Sequence, residues 1–359
     1  MRGGPPEFPT PMAEPSPFLL WDATLSLRTS AGFNSNPSLA YLGEFRQPAA
    51  YFEYGGDLMF YRVPTDGDSV YIFFSGEDRR YFNVEEVPGQ QNFLSQFKYE
   101  HESPSWWNAG GTFVWMYANQ VIDLSDLDNG VGTAQVQGQT VILRPSLSAR
   151  VGTNWLAAIE LPLMRQKLSE PADGYSEVGP QVMLTRKLPN SSTASIGYSW
   201  TWRPYDDSPL LTPGGEIIPG SIERLRYNSV NLRWQQNWDR EKRWRTTVFG
   251  GVTAARDNGL GYYDYNRFRV GASAQYRVGR WTLSVDGGAG WYNYIEQTIA
   301  PEETALRERR EFSTGGQTAF DITETIQWVM RFTWETSISN IPQDTYNATT
   351  ASAGLEVEF

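Results

Sequence analysis

Polar and apolar residues alternate with a period of two along most of the chain. From Arg267 to Val278 one parity reads Phe268, Val270, Ala272, Ala274, Tyr276 and Val278. The other reads Arg267, Arg269, Gly271, Ser273, Gln275 and Arg277. The same split runs through 107–117, 194–202 and 326–334. Such a period means strands with two unlike faces. The apolar face stays uncharged for about ten residues at a time, and aromatics often stand at its ends, as Trp107 with Tyr117 and Trp281 with Trp291 do. That length and that girdle describe strands crossing a bilayer, apolar toward lipid and polar toward a lumen. A soluble sandwich also alternates, but its strands run to about 5–6 residues and have no reason to end in Trp. The parity places Trp115, Trp200, Val270 and Trp328 against lipid, and Thr112, Ser199, Arg269 and Arg331 in the lumen.

Reading the alternation from end to end predicts about 16 spans. Their cores lie at 20–30, 50–62, 69–77, 92–101, 106–118, 139–150, 154–166, 176–186, 193–203, 226–238, 243–255, 266–278, 281–293, 312–322, 326–337 and 347–359. Tight links such as Gly279-Arg280 and 239–242 alternate with long ones at 31–47, 119–138, 204–223 and 294–311. Short periplasmic turns and long outer loops alternate in this way in membrane barrels. The expected fold is therefore all-β, a transmembrane antiparallel β-barrel over residues 18–359. An even strand count sets both termini on the periplasmic side, so residues 1–17 (MRGGPPEFPTPMAEPSP) are expected to be a proline-rich periplasmic tail.

Composition sharpens this picture. Apolar residues make up 40% of the 359, aromatics 14%, and mean hydropathy is −0.48. A soluble core would lean on Leu, Ile and Val instead. With no Cys, disulfides and thiolate metal sites are impossible. A net charge of −11 argues against nucleic acid as a partner. No stretch supplies the roughly 18 apolar residues of a membrane helix. Residues 1–17 also lack the apolar core of a signal peptide, so the expectation is a processed or engineered start, or a chain that is not exported.

The chain ends in SAGLEVEF. The polar Ser352, then Gly354, Val357 and the terminal Phe359 on the lipid-facing parity, resemble the C-terminal β-signal of Gram-negative outer-membrane proteins. The resemblance implies an outer-membrane location, lipid as solvent for the outer face, and reading of this segment by the barrel assembly machinery. It covers residues 18–359 as an architecture and identifies no subfamily.

Chemistry then belongs to the inward parity and the loops. Arg203, Arg233, Arg245, Arg267 and Arg269 are expected to form a basic wall. Glu53, Asp57, Asp321 and Glu335 are expected on an acidic wall across the lumen, a field that would orient polar solutes. About 16 strands enclose more space than side chains alone fill, which favours a water-containing channel. Loop 119–138 follows the fifth span, a position that resembles the constriction loop of general porins. Its Asp123, Asp126 and Asp128 are weak candidates for a cation, because the spacing lacks an EF-hand pattern. No metal or other cofactor is expected. Loop 204–223 (with SPLLTPGGEIIPG) is apolar enough to suggest a protein contact, and loop 119–138 is a second place for one.

The segment AGFNSNP, 31–37, resembles the first hairpin of porin-like barrels linked to exopolysaccharide secretion, although the helical-repeat scaffold of some of those proteins is absent. The one histidine, His101, falls at a periplasmic turn, the wrong end for the Ser–His pair of outer-membrane lipases, and no enzyme activity is expected. The expected function is a porin-like channel for polar or anionic solutes, with a saccharide or exopolysaccharide among them. The alternative is a non-transporting barrel that anchors surface loops to partners.

Overall fold

Lipid offers a backbone no hydrogen bonds, so strands can cross it only as a ladder closed on itself. The computed structural model, which describes residues 21–40, 47–123, 133–300 and 303–359, has such a ladder. In chain order its strands are β1 (Trp21–Asn34), β2 (Ala49–Thr65), β3 (Asp68–Tyr81), β4 (Gly89–Glu102), β5 (Trp107–Asp123), β6 (Thr133–Val151), β7 (Trp155–Glu160), β8 (Leu163–Leu168) and β9 (Tyr175–Val178). They continue as β10 (Gln181–Leu188), β11 (Ser192–Pro204), β12 (Arg224–Asn237), β13 (Trp244–Arg256), β14 (Tyr265–Val278), β15 (Trp281–Thr298), β16 (Leu306–Asp321), β17 (Ile326–Ser339) and β18 (Tyr346–Glu358). Each pairs antiparallel with its neighbours, and β1 pairs with both β2 and β18, which closes the ring.

The 18 segments make 16 spans, because β7 with β8 forms one and β9 with β10 forms the next. The two breaks fall at Pro162 and Pro180, which have no N–H to give the ladder. Neighbours bridge them: Gly179 N–H donates to Pro162 O (3.3 Å) and Trp200 N–H to Pro180 O (3.1 Å). All 16 expected spans are present, and most run a few residues further toward the long loops. The expected tail 1–17 lies outside the described residues.

The outer face is the predicted one. Val270, Leu232 and Phe332 expose 48%, 55% and 46% of their surface, with Trp200 and the half-buried Trp115 and Trp328 on the same side. Trp21, Trp106, Trp155, Trp238, Trp244 and Trp281 cluster at the short-turn ends, as an interfacial girdle requires. Arg269 and Arg331 point inward, where both line cavities. The turn Asp66-Gly67 has φ of 53° and 86°, the left-handed pair that joins tight hairpins.

At the seam, Phe359 N–H donates to Leu25 O (2.8 Å) and Leu25 N–H to Phe359 O (3.2 Å). Gly354 faces Ser30 there, and a Cβ in its place would collide with the Thr29 carbonyl. Phe359 itself is 70% exposed on the outer side.

A charge at the lipid-facing midplane costs roughly 2–4 kcal/mol. Val270→Arg is expected to lower folding yield and stability by that order. Ser273→Arg, three residues on and inward, is expected to change them little. Equal tolerance in a denaturant titration would show the register to be wrong.

Candidate functional site: the lumen and its mouth

The β5–β6 hairpin is paired from Trp107↔Ala149 up to Asp123↔Thr133, and its outer part turns into the barrel. Asp123 forms an ion pair with Arg309 of β16 at 2.5 Å, on a span almost opposite β5 in the ring. On the way it meets the loop ends of other spans. Val121 packs against the cluster of Tyr81, Val84 and Val87, Gln135 donates to Gly89 O (2.8 Å), and Thr133 donates to Ser38 O (3.0 Å). Arg309 is also held by Glu311 (2.7 Å) and by the Ser337 hydroxyl (3.1 Å), and its side chain is 4% exposed. A buried pair of this kind fixes register, since removing one partner strands a charge at a cost of about 3–5 kcal/mol. The position expected of a constriction loop is thus the position that the described part of 119–138 takes. Asp126 and Asp128 lie outside the described residues. Asp123 is committed to Arg309, and no group of three metal-ligating side chains occurs among the described residues.

The lumen wall is organised differently from the two opposed walls expected. Glu53 is bound by Arg79 (2.6 Å), and Asp57 by Arg28 (2.5 Å), with Glu77 3.7 Å from Arg28. The β2 part of the acidic wall is therefore neutralised by its own neighbours. The expected third span stopped at residue 77, whereas β3 runs to Tyr81 and brings Arg79 onto the inward parity. On the basic side Arg203 pairs with Glu177 (2.8 Å) and lies between the rings of Tyr175 and Tyr227, with centroids at 4.4 and 4.8 Å. Arg267 pairs with Glu311 (3.1 Å) over the ring of Tyr292. Glu335 shares a recess of about 350 Å³ with Arg267 and Arg269 instead of facing them from afar. Asp321 sits at the short-turn end and accepts from Gln327 (2.7 Å).

Three of the named arginines have no carboxylate partner among the described residues. Arg245 donates to Asn237 (3.2 Å), Arg269 donates to Asn231 (2.8 Å), and Arg233 is exposed. Between Arg233 and Gly271 in the pairing row stands Phe249, 40% exposed on the lumen side. Its ring occupies the space that a Cβ of Gly271 would fill. Sequence reasoning passed over Phe249, although it stands among Arg245, Thr247 and Gly251 on the polar parity. A second recess, of about 400 Å³, has an apolar side formed by Leu94, Met116, Ile122, Val136 and Met164, with Arg28 and Glu77 also in its lining.

Loop 205–223 turns its apolar residues onto its own chain. Leu211 joins Tyr175, Tyr205, Leu225, Tyr262 and Tyr263 in one buried cluster, and Leu210 is buried as well. Ile217 and Ile222 remain exposed. Part of the apolar surface of this loop is therefore buried within the chain. Behind it Glu223 is 1% exposed, and neither carboxyl oxygen has a hydrogen-bond partner among the described residues. Burial, with Asp257 adding to it, pushes its pKa up to about 9 against the opposing pull of Arg203. Nearby, backbone N–H groups of Gly174, Asp207 and Ser208 donate to Asp173, and those of Gly259, Gly261 and Tyr263 donate to Asp257.

His101 sits at a short-turn end, with Nδ1 2.8 Å from Asp68 Oδ1 and its ring against Trp107.

Fold and lining together define the class, a membrane-spanning β-barrel of 16 spans whose mouth is narrowed by an infolded hairpin. No protein-family model matches the chain, and no curated protein matches it either. Among solved structures it is similar to OccAB1 of Acinetobacter baumannii (9% identity, 94% of this chain and 97% of that one, TM-score 0.48). It is also similar to a bacterial polysaccharide outer membrane secretin (12%, 94% and 98%, 0.47) and to an anion-selective porin from Comamonas acidovorans (8%, 94% and 99%, 0.45). Likeness at this level adds nothing to what the closed ladder already defines.

Because Glu223 holds its proton in the fold, its contribution to loop stability is complete below the ordinary carboxylate pKa of about 4.3. It is lost as pH rises from there toward about 9. Glu223→Gln is expected to leave loop 205–223 unchanged at pH 4 and to strengthen it at pH 7, by about 4 kcal/mol at most. Hydrogen exchange across the loop at the two pH values measures this.

Proposed function

We propose that the chain is a porin-like channel in the outer membrane of a Gram-negative bacterium, and that it passes polar and anionic solutes, with anionic saccharides as the preferred class. One observation carries the reading. Arg233 and Arg269, without carboxylate partners among the described residues, flank the lumen-exposed Phe249. A guanidinium keeps its charge at any working pH and binds carboxylate or phosphate through two parallel N–H groups. An aromatic face held flat over glycine offers an apolar surface to the C–H face of a sugar ring. Positive charge on β12–β14 that has no carboxylate partner among the described residues, in a lumen where most other arginines are paired, draws anions past the hairpin.

Ser352, Gly354, Val357 and Phe359 act in this reading as the segment that the assembly machinery engages, with Gly354 also required by the close approach at the seam. A barrel that served only to anchor loops would not conduct.

Planar-bilayer recording in low salt tests the proposal. The wild type is expected to prefer anions and to be blocked by a short uronate oligosaccharide. Arg233→Ala combined with Arg269→Ala is expected to shift the reversal potential toward cations and to weaken the block. Phe249→Ala is expected to weaken the block and leave ion preference unchanged. No conductance at all, or preference and block that ignore these substitutions, would refute the reading.

A further inference from the structure

Two like charges meet on the membrane side of the barrel. Arg226 of β12 and Arg256 of β13 are direct cross-strand partners. They share the outward parity of Val230 and Leu232 on one strand and of Val248 and Val252 on the other, all exposed toward lipid. Arg224 lies two residues further toward the loops on the same face, and Trp202 stands across from Arg226 on β11. Like charges directly opposite each other destabilise a sheet, and arginine cannot shed its charge.

Other outward arginines near the loop ends carry a carboxylate from their own chain. Arg80 has Asp78 at 2.6 Å, Arg165 has Asp206 at 2.5 Å, and Arg310 has Glu308 at 3.8 Å. Arg256 has Asp264 at 3.8 Å and donates to Ala255 O (2.5 Å) and to Tyr265 O and Asn266 Oδ1, both at 2.9 Å. Arg224 and Arg226 are exposed and have no carboxylate partner among the described residues. Three guanidinium groups thus gather with one distant carboxylate between them, just beyond the apolar belt at the long-loop end.

We propose that Arg224 and Arg226, with Arg256 beside them as a fixed positive charge, bind a phosphate group of an outer-leaflet glycolipid. Guanidinium forks match phosphate oxygens in geometry and charge. The bilayer side is the side they face, and Trp200 and Trp202, rings suited to the headgroup level, stand beside them for the rest of the lipid. A free anion would use the same nitrogens and gain nothing from the tryptophans. The site lies on the opposite face of the wall from the lumen, so lipid binding there is independent of the solute that the channel passes.

The full chain, folded in detergent, is incubated with phosphorylated lipid A, with dephosphorylated lipid A, or with inorganic phosphate in excess, and bound lipid is counted by native mass spectrometry. Phosphorylated lipid A is expected to stay bound to the wild type. Its retention is expected to fall about tenfold in Arg224→Gln/Arg226→Gln, and to be unchanged in Arg310→Gln, whose partner is Glu308. Heat-shifted electrophoretic mobility verifies that each variant is folded. Equal retention in the double variant, equal binding of the dephosphorylated lipid, or displacement by inorganic phosphate would each overturn the proposal.

Discussion

The obligation to satisfy every backbone N–H and C=O inside lipid governs this molecule. It requires a closed ladder, and once the ladder is closed the side-chain period of two leaves each residue only one of two solvents. Val270 and Leu232 meet lipid; Arg269 and Asn231, one position away, meet the lumen. Even the two proline breaks respect the rule, because adjacent strands supply the donors that bridge Pro162 and Pro180.

Inside that ring, charge is handled locally. Arg28 with Asp57, Arg79 with Glu53, and Arg203 with Glu177 are near neighbours on the wall, so each neutralises its partner at short range. Two features outside this pattern bear on the path. The pair Asp123–Arg309 spans the lumen and ties the infolded hairpin to the far wall. The surplus arginines 233, 245 and 269 have no acid beside them among the described residues, and they sit in the wall below the place where the hairpin lands. A solute entering from the long-loop end therefore meets the narrowing first and the unpaired arginines after it, down to Arg245 near the short turns.

The barrel was legible because its signal is repeated on every span and each repeat obeys one rule. Strand ends were not, because the pattern fades where lipid no longer penalises a polar outward residue. Arg79, Arg309 and Glu311 all fall in those outer extensions, and with them the partners of Glu53 and Arg267. Arg28 and Glu177 lie inside the expected spans, but the period alone does not say which strand neighbours pair. Position in the chain pointed to the fate of loop 119–138, but nothing in its residues named Arg309 as the anchor, some 186 residues away. The apolar stretch of 204–223 was visible, while its partners Tyr262 and Tyr263 lay in a loop with no pattern of its own. Phe249 was missed because an aromatic on the polar parity looks like an interruption until Gly271 is seen beside it.

The hairpin's path across the lumen is the claim on which aperture and field both depend, and the absence of native cysteine allows a clean test of it. Cysteines placed at positions 123 and 309 are treated with a short bis-maleimide in the folded protein in lipid, and the channel is then recorded. The account predicts efficient intramolecular crosslinking with open conductance close to that of the uncrosslinked double variant, because the hairpin already lies where the tether holds it. Failure to crosslink, or a large fall in conductance once crosslinked, would mean that the hairpin stands clear of the lumen in the working channel.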